Sequence, residues 1–517
     1  MMKVIFYKFI SIYCLIKDLL GIPPGFANKT SFPIGVLVHI CLLTLSFIII
    51  LCLIVSCIII QIFLWGMDLW LMYKLGRNYG GRLIGQDAAM ESTDEKIPIS
   101  IIIILNHDED RAALNKRLEE TCKRVHNSLS KLSCTIERCL GFPYYVKNQV
   151  TDEDTCDYTK VNDKEYLTRD ELLEHIRKNC MVNVINQKRL WYGRIFTQNV
   201  IWNKQSETKK QAAVMLVFRH SLADGVALIG FLKNFMIREK NPQLMQLDPK
   251  YTAKPKFSLD NAYIYRNLLT SNRDEPKFNV INNERHVVFY IEDEIKYVPL
   301  IKKIKNKLGI GFTEILIAGL TASLAEILAR RGEKMDKCST VVIFRPIDED
   351  LVSIVNGTYN YNKLTNNSIP IVLNTQVTMK KESTMLDRLK SIGNELNKGK
   401  FSIDGLAYYE LSNLGHLIPS PIVKQIVSHT SNLTAVATNV GGLKVGTIAG
   451  CEVEAAMSFI TYFCNTCFVL SIISKDDRFQ LALTMKENVV KSRKEAQDVI
   501  DNVFMFVDNL SEELQIQ

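Results

Sequence analysis

The sequence predicts a mixed α/β fold behind an N-terminal membrane segment. Three observations carry this reading. From Thr30 to Met67 the chain holds no Asp, Glu, Lys or Arg. Beyond it, short apolar runs alternate with segments in which apolar residues recur at helical spacing. One of the runs, Val214-Met-Leu-Val-Phe-Arg219, ends on His220, and four residues later come Asp224 and Gly225.

The charge-free stretch comes first. About 20 apolar residues cross a bilayer, so residues 30–67 are long enough to span with tilt, or to enter and turn back. Residues 1–84 therefore read as a membrane-anchoring region with its hydrophobic segment at 30–67. Met1 to Leu20 is apolar but carries Lys3, Lys8 and Lys17, which suits a helix lying in the lipid interface. Lys3, Lys8, Lys17 and Lys29 on one side nearly balance Lys74, Arg77 and Arg82 on the other, so charge does not set the orientation. Asn-x-Ser/Thr triplets begin at Asn28, Asn356, Asn366 and Asn432, and would matter only in regions facing a lumen.

Residues 68–96 read as a polar, glycine-bearing connector. Ile99 to Leu105 is a short, fully apolar strand. Leu114, Leu118, Cys122, Val125, Leu129 and Leu132 repeat at steps of three and four, the mark of a helix with one buried face. Short strands follow around Trp191-Tyr-Gly-Arg194, then the His220 strand, then a helix over Val226 to Met236. Residues 237–284 are polar with scattered prolines and read as a crossover between two halves. His286 to Ile291 opens the second half as a strand. Phe312 to Leu328 is apolar nearly all round and predicts a central buried helix, with Thr313 able to cap its start. Strands follow at Val341–Phe344, Ile369–Leu373, Cys467–Ile473 and Phe479–Thr484. Ala496, Val499, Ile500, Val503, Phe504 and Val507 write a last amphipathic helix.

Composition narrows the function. The chain has 517 residues, which implies more than one packing unit. Hydrophobic residues make up 47% and charged ones 23%, which are globular values. The net charge of +8 is spread thinly, with no basic tract interleaved with aromatics, so a nucleic-acid partner is excluded. The 13 cysteines are odd in number and several sit in apolar runs, as reduced buried thiols do. Cys464-Asn-Thr-Cys467 has no partner pair, and there is no His-Glu-x-x-His, phosphate loop or dinucleotide fingerprint, so neither metal nor cofactor is expected. His416 and His429 lie in a polar stretch and read as surface or structural residues.

The His220 turn is where chemistry is expected. A histidine at the end of a buried strand is suited to moving a proton near neutral pH. No Gly-x-Ser-x-Gly nucleophile motif is present.

His220-x-x-x-Asp224-Gly225, on a strand-to-helix turn in a chain of two α/β halves, resembles the wax ester synthase/diacylglycerol acyltransferase family. More broadly it resembles the acyltransferases of chloramphenicol-acetyltransferase-like fold. Further segments follow the family's order. Gly85-Gln-Asp87-Ala88 resembles its opening Asp-Ala segment, and Gly311-Phe-Thr313-Glu314 its Asn-Asp helix start. Phe344-Arg345-Pro resembles the strand followed by a basic residue. Asn366-Asn367 before Pro370 resembles its Gly-Asn segment, and Thr438-Asn439-Val440-Gly441-Gly442 its Ser-Asn-Val-Pro-Gly turn. Two departures stand out: Arg219 replaces the first of two usual histidines, and Thr313-Glu314 replaces Asn-Asp. Strand alternation aims Arg219 at the face opposite His220.

The resemblance implies two chloramphenicol-acetyltransferase-like lobes with a central channel, at residues 85–260 and 261–517, behind the transmembrane helix. It implies fatty acyl transfer from acyl-CoA, as co-substrate, to a lipid alcohol or diacylglycerol. His220 would be the general base, and Asp224 would hold the turn by pairing with a buried arginine, for which Arg345 is the candidate. Gly225 would let the backbone pass close to the channel. Asn367 and Arg345 are expected at the substrate. Asn439 or Thr438 is expected either to donate to the oxyanion or to act as an Asx-type turn residue. The catalytic part would face the cytosol from the endoplasmic reticulum or plasma membrane. The alternative is an inactive lipid- or acyl-CoA-binding membrane protein of the same fold.

Overall fold

A computed structural model describes residues 32–93, 98–180, 189–203, 210–236, 285–333, 335–344, 353, 358, 364–379, 383–400, 409, 412–430, 433–443, 446–460 and 466–516. Met1 to Leu20, the crossover at 237–284 with the expected boundary at 260/261, Arg345 and Cys464 lie outside them.

Helix α1 (Phe32–Leu75) is one continuous element of 44 residues. The apolar run therefore does not turn back on itself. At 1.5 Å per residue it is about 66 Å long, and its apolar part is long enough to cross a membrane. Only its C-terminal third meets a described core. Leu64, Met67 and Leu71 pack on Phe142, Tyr144, Val146 and Leu417.

The segment read as a connector is ordered. Asp68 accepts hydrogen bonds from Tyr79 and, at 2.7 Å, from Arg82 Nε. That pair fastens strand β1 (Tyr79–Arg82) to the helix. Helix α2 (Gly85–Thr93) follows. Sequence periodicity misses both, because α2 is short and its buried residues include Gln86, Asp87, Glu91 and Ser92.

Strand β2 (Pro98–His107) is buried throughout. Helix α3 (Arg111–Ser128) is capped by Asp110, whose carboxylate accepts from the Ala112 and Ala113 amides. Its predicted stripe is buried, although Leu129 and Leu132 lie past the helix end. Strands β3 (Thr135–Cys139) and β4 (Phe142–Val146) form a hairpin that completes a three-stranded sheet in the order β1-β4-β3. Strand β5 (Cys156–Thr159), strand β6 (Tyr166–Thr168) and helix α4 (Arg169–His175) lead to strands β7 (Trp191–Ile201) and β8 (Lys210–Arg219). Helix α5 (Gly225–Met236) follows the His220 turn.

The second half holds strand β9 (Arg285–Ile291), helices α6 (Tyr297–Leu308) and α7 (Phe312–Arg330), and strands β10 (Lys337–Phe344) and β11 (Ile369–Gln376). Helices α8 (Met385–Lys400) and α9 (Ser420–Thr430) come next. Strands β12 (Ala435–Leu443), β13 (Thr447–Ile448), β14 (Cys451–Ile460), β15 (Phe468–Lys475) and β16 (Arg478–Lys486), then helix α10 (Arg493–Glu513), complete the chain.

Two large sheets organise these elements. One has the order β11-β10-β12-β15-β16-β9; the other has the order β13-β14-β2-β8-β7-β5, with β6 also on β7. Strand β14, late in sequence, pairs antiparallel with β2 along Glu452–Ile460. The late part of the chain thus completes the early sheet, and Ser458 on β14 meets Ser471 on β15 at 2.8 Å.

Helix α7 is apolar enough to suggest a second span, yet it is mostly buried and Gly319 brings it against Val503 of α10. Its start is capped by the Glu314 carboxylate on the Gly311 amide, not by Thr313. Thr438 to Gly442, expected as a turn, belong to β12. Cys41, Cys52, Cys57, Cys122, Cys134, Cys139, Cys156, Cys338, Cys451 and Cys467 are free thiols.

Candidate active site

Strand β8 delivers the histidine. Val214, Leu216 and Phe218 enter one core cluster, and Ala213, Met215 and Val217 the opposite one. A strand buried on both faces explains the unbroken apolar run. The run stops at Arg219, the last residue of β8, and the chain turns through His220 to Ala223.

Asp224 ends that turn. Its Oδ1 accepts from the Ala227 amide at 2.9 Å, which caps α5 with Gly225 as the first helical residue. Its Oδ2 accepts from the Asn367 amide at 2.8 Å. The carboxylate therefore joins the histidine turn to the strand entering β11. Arg345, the expected partner of this carboxylate, lies outside the described residues.

Asn366 sits at the centre of the site. Its Nδ2 donates to Asp87 Oδ1 at 2.9 Å and to the His220 carbonyl at 2.7 Å. Its backbone amide donates to the same Asp87 oxygen at 2.8 Å. Both side-chain protons are thus committed to oxygens, which fixes the amide orientation. Its Oδ1 then faces Nδ1 of His220 at 3.1 Å. An acceptor there requires the proton on Nδ1, which leaves Nε2 as the basic nitrogen.

Lys131 holds Asp87 from the other side, with Nζ 3.0 Å from Oδ2. The same ammonium donates to the Leu222 and Leu364 carbonyls at 3.0 and 2.7 Å. Burial pushes the Asp87 carboxyl above its usual range, opposed by Lys131 and Asn366. All its described partners are N–H donors, which only the carboxylate can satisfy together.

The His220 ring is crowded by protein, yet the residue keeps part of its surface accessible. Desolvation lowers its pKa from 6.5; a hydrogen bond to its own backbone, Asp224, Asn366 and Asp87 all oppose this. The imidazole is therefore uncharged at neutral pH.

Arg219 leaves this cluster. It lies 3.4 Å from Glu91 on α2, while Ser221 donates to the other Glu91 oxygen at 2.6 Å. The pair with Glu91 agrees with the opposite-face placement that strand alternation predicts. Gln86 braces the same helix through the Ser368 amide and carbonyl, at 2.9 and 2.8 Å.

The structure brings His220, Asp224, Gly225 and Asn367 together. Asn367 acts as a latch: its amide holds Asp224, and its Oδ1 accepts from the Tyr409 hydroxyl. Thr438 and Asn439 are half-buried on β12, and Asn439 Nδ2 donates to Thr313 Oγ1 at 3.3 Å. His416 is a structural residue, with Nδ1 2.9 Å from the Asn413 carbonyl. Sequence reasoning missed Asn366, Asp87 and Lys131 as parts of the site. Asp87 and Asn366 stood in quoted segments without a role, and no pattern around Lys131 pointed to one.

Residues 367–505 match the family described as the WS/DGAT C-terminal domain. No curated protein matches the sequence. Among solved structures, the chain is similar to a wax ester synthase/diacylglycerol acyltransferase from Marinobacter aquaeolei VT8. The identity is 13%, the TM-score 0.55, and the match covers 84% of this chain and all of that one (100%). It is similar to the TRI3 trichothecene 15-O-acetyltransferase of Fusarium sporotrichioides at 12% identity and TM-score 0.57, covering 82% and 94%. It is also similar to the TRI101 structure from F. sporotrichioides complexed with coenzyme A and T-2, at 10% identity and TM-score 0.53, covering 80% and 96%. These likenesses describe the fold. Residues 367–505 carry the WS/DGAT C-terminal domain, and the whole chain shares its mixed α/β fold with these acyltransferases.

Proposed function

We propose that the protein is a membrane-anchored O-acyltransferase that moves a fatty acyl group from acyl-CoA to a lipid alcohol or diacylglycerol. The observation that carries this is the Asn366 amide against His220 Nδ1, which leaves Nε2 of an uncharged imidazole as a base.

An alcohol is a poor nucleophile until its proton is removed. His220 Nε2 takes that proton as the hydroxyl oxygen bonds to the thioester carbonyl carbon. The oxyanion formed then collapses, the C–S bond breaks, and the imidazolium returns the proton to the leaving thiolate. Such base catalysis typically contributes about 10²–10⁴-fold. Thr438 or Asn439 on β12 is the donor assigned to the oxyanion, a contribution that is often larger. The described contacts of Asp224 and Asn367 support a positioning role for both. Arg345, which lies outside the described residues, is proposed as a substrate contact. Two lobes with the acyl chain and the alcohol meeting in a channel between them suit this chemistry.

The anchor fits the substrates. Acceptor and product are nearly insoluble in water, whereas acyl-CoA is cytosolic. A site held at the cytosolic face of the endoplasmic reticulum or plasma membrane meets both. The test is ester formation from labelled oleoyl-CoA in membranes carrying the full chain, with hexadecanol and diacylglycerol as competing acceptors. Labelled wax ester or triacylglycerol supports the reading. Acyl-CoA binding without turnover on any lipid alcohol overturns it in favour of an inactive lipid-binding protein.

A further inference from the structure

We infer that the catalytic body itself dips into the bilayer beside α1, through the β3–β4 turn at Leu140 and the outer face of α9. The inference rests on the reading of α1 as a membrane segment. Its evidence is the depth at which the body meets that helix.

Asp68 is the first charged residue after the apolar run, and it is engaged by Tyr79 and Arg82. Around it α1 exposes Trp65, Trp70 and Tyr73, with Lys74 lying 5.1 Å over the Trp70 ring. Aromatic rings and a lysine in this order mark the headgroup level of a membrane helix. Phe63 lies five residues before Asp68, about 7 Å deeper along the axis. Its ring is 6.4 Å from that of Phe142, the first residue of β4. The tip of the hairpin therefore stands beside the charge-free part of α1.

That tip carries an apolar side chain outward. Leu140 is 71% exposed and holds a positive φ of 50°, beside Gly141 at 85°. A turn surrounded by water would place a polar residue or glycine at such a backbone position. Helix α9 is fastened to the same turn. The Ser420 amide donates to the Gly141 carbonyl at 2.8 Å, and a Cβ at Gly141 would lie 3.1 Å from both Pro419 and Pro421. On α9 Val423 is buried, while Ile422 and Ile426, one turn apart, are 49% and 50% exposed. Large apolar side chains exposed elsewhere on the body, such as Ile201 and Ile295, belong to other elements.

Lipid is the occupant because the patch is continuous with a helix whose own apolar surface is open. The consequence reaches the site. Ser420 at the start of α9 meets Ser92 on α2 at 2.8 Å, and α2 carries Asp87. One helix thus separates the lipid contact from the residues that orient His220.

The test is photocrosslinking of the full chain in phosphatidylcholine vesicles containing radiolabelled phosphatidylcholine. p-Benzoylphenylalanine is placed singly at Leu140, Ile422, Ile426, Ile201, Ile295 and Ile48. Lipid label at 140, 422 and 426 severalfold above that at 201 and 295 is the expected result. Label at 48 with only background at 140, 422 and 426 overturns the inference and leaves the membrane helix standing. Background at 48 as well removes the membrane reading itself. Crosslinking of 140, 422 or 426 to a second copy of the chain in place of lipid also overturns it.

Discussion

Asn366 Oδ1 stands 3.1 Å from Nδ1 of His220, and the orientation of that amide is fixed by Asp87. The imidazole proposed as the base is therefore oriented by a buried carboxylate two hydrogen bonds away. Lys131 in turn holds that carboxylate.

His220→Ala removes the base and leaves the fold, because the residue lies in a turn with part of its surface accessible. Ester formation should fall by about 10²–10⁴-fold with acyl-CoA binding retained. Radiolabelled ester assays beside equilibrium binding of acyl-CoA check both. Full activity in the variant ends the assignment.

Asn366→Leu should lower kcat by about 10–100-fold with little change in KM, as loss of one orienting hydrogen bond costs about 1.5–3 kcal/mol. The pH–rate profile should move as well, since the tautomer is no longer imposed. A variant with unaltered kcat and profile would show that the amide does not orient the ring. Asn366 also begins an Asn-x-Ser triplet, but it is buried and bonded to Asp87, so the folded chain should carry no glycan there.

Acidic pH should inhibit through His220. Burial lowers its folded pKa below 6.5, so the rate should stay flat near neutrality and fall only at a midpoint beneath that value. Stability moves with the same sign. The unfolded chain binds this proton first, so the contribution of neutral His220 is lost as pH drops below 6.5 and levels off beneath the folded pKa. Asp87 works in the opposite sense. Its raised pKa removes stability as pH rises from 3.8 through the folded value. Rate and urea-unfolding profiles between pH 4 and pH 8, about two units either side of an ordinary imidazole's acid limb, separate the two. An activity midpoint above 6.5 contradicts the desolvated ring.

Asp224→Asn keeps an oxygen for the Ala227 amide but turns an NH₂ toward the Asn367 N–H. Two donors then face each other in a buried site. A loss of about 1–3 kcal/mol in unfolding free energy is expected, with activity falling as the Asn366–Asn367 segment shifts. Chemical denaturation measures the first and the ester assay the second.

Arg219→His writes the two adjacent histidines typical of the resembling family. It removes the ion pair to Glu91, which keeps Ser221 and Arg138 as partners. Stability should drop by about 1–3 kcal/mol, while the transfer rate stays within about threefold, well under the roughly 1.4 kcal/mol that a tenfold change requires. A large gain in rate would show that Arg219 restrains the base.

The sequence by itself determined the local elements and singled out the histidine proposed as the base. A charge-free apolar run gives α1 because a run of that length and composition reads as a membrane-length helix. Helical spacing from Leu114 to Val125 gives α3, and an apolar run ending on a histidine marks β8 and its turn. These signals are local, so no partner is needed to read them. Only the tertiary structure decided which residues hold that histidine. Asp87, Lys131 and Asn366 are far apart in sequence and meet because α2, the turn after α3 and the entry to β11 converge on one turn. Chain periodicity records which face of an element is buried, but not which polar group on another element will meet it. For the same reason no local pattern showed that β14 completes the sheet begun by β2. Register between distant strands is set by packing, which leaves no pattern within either strand alone.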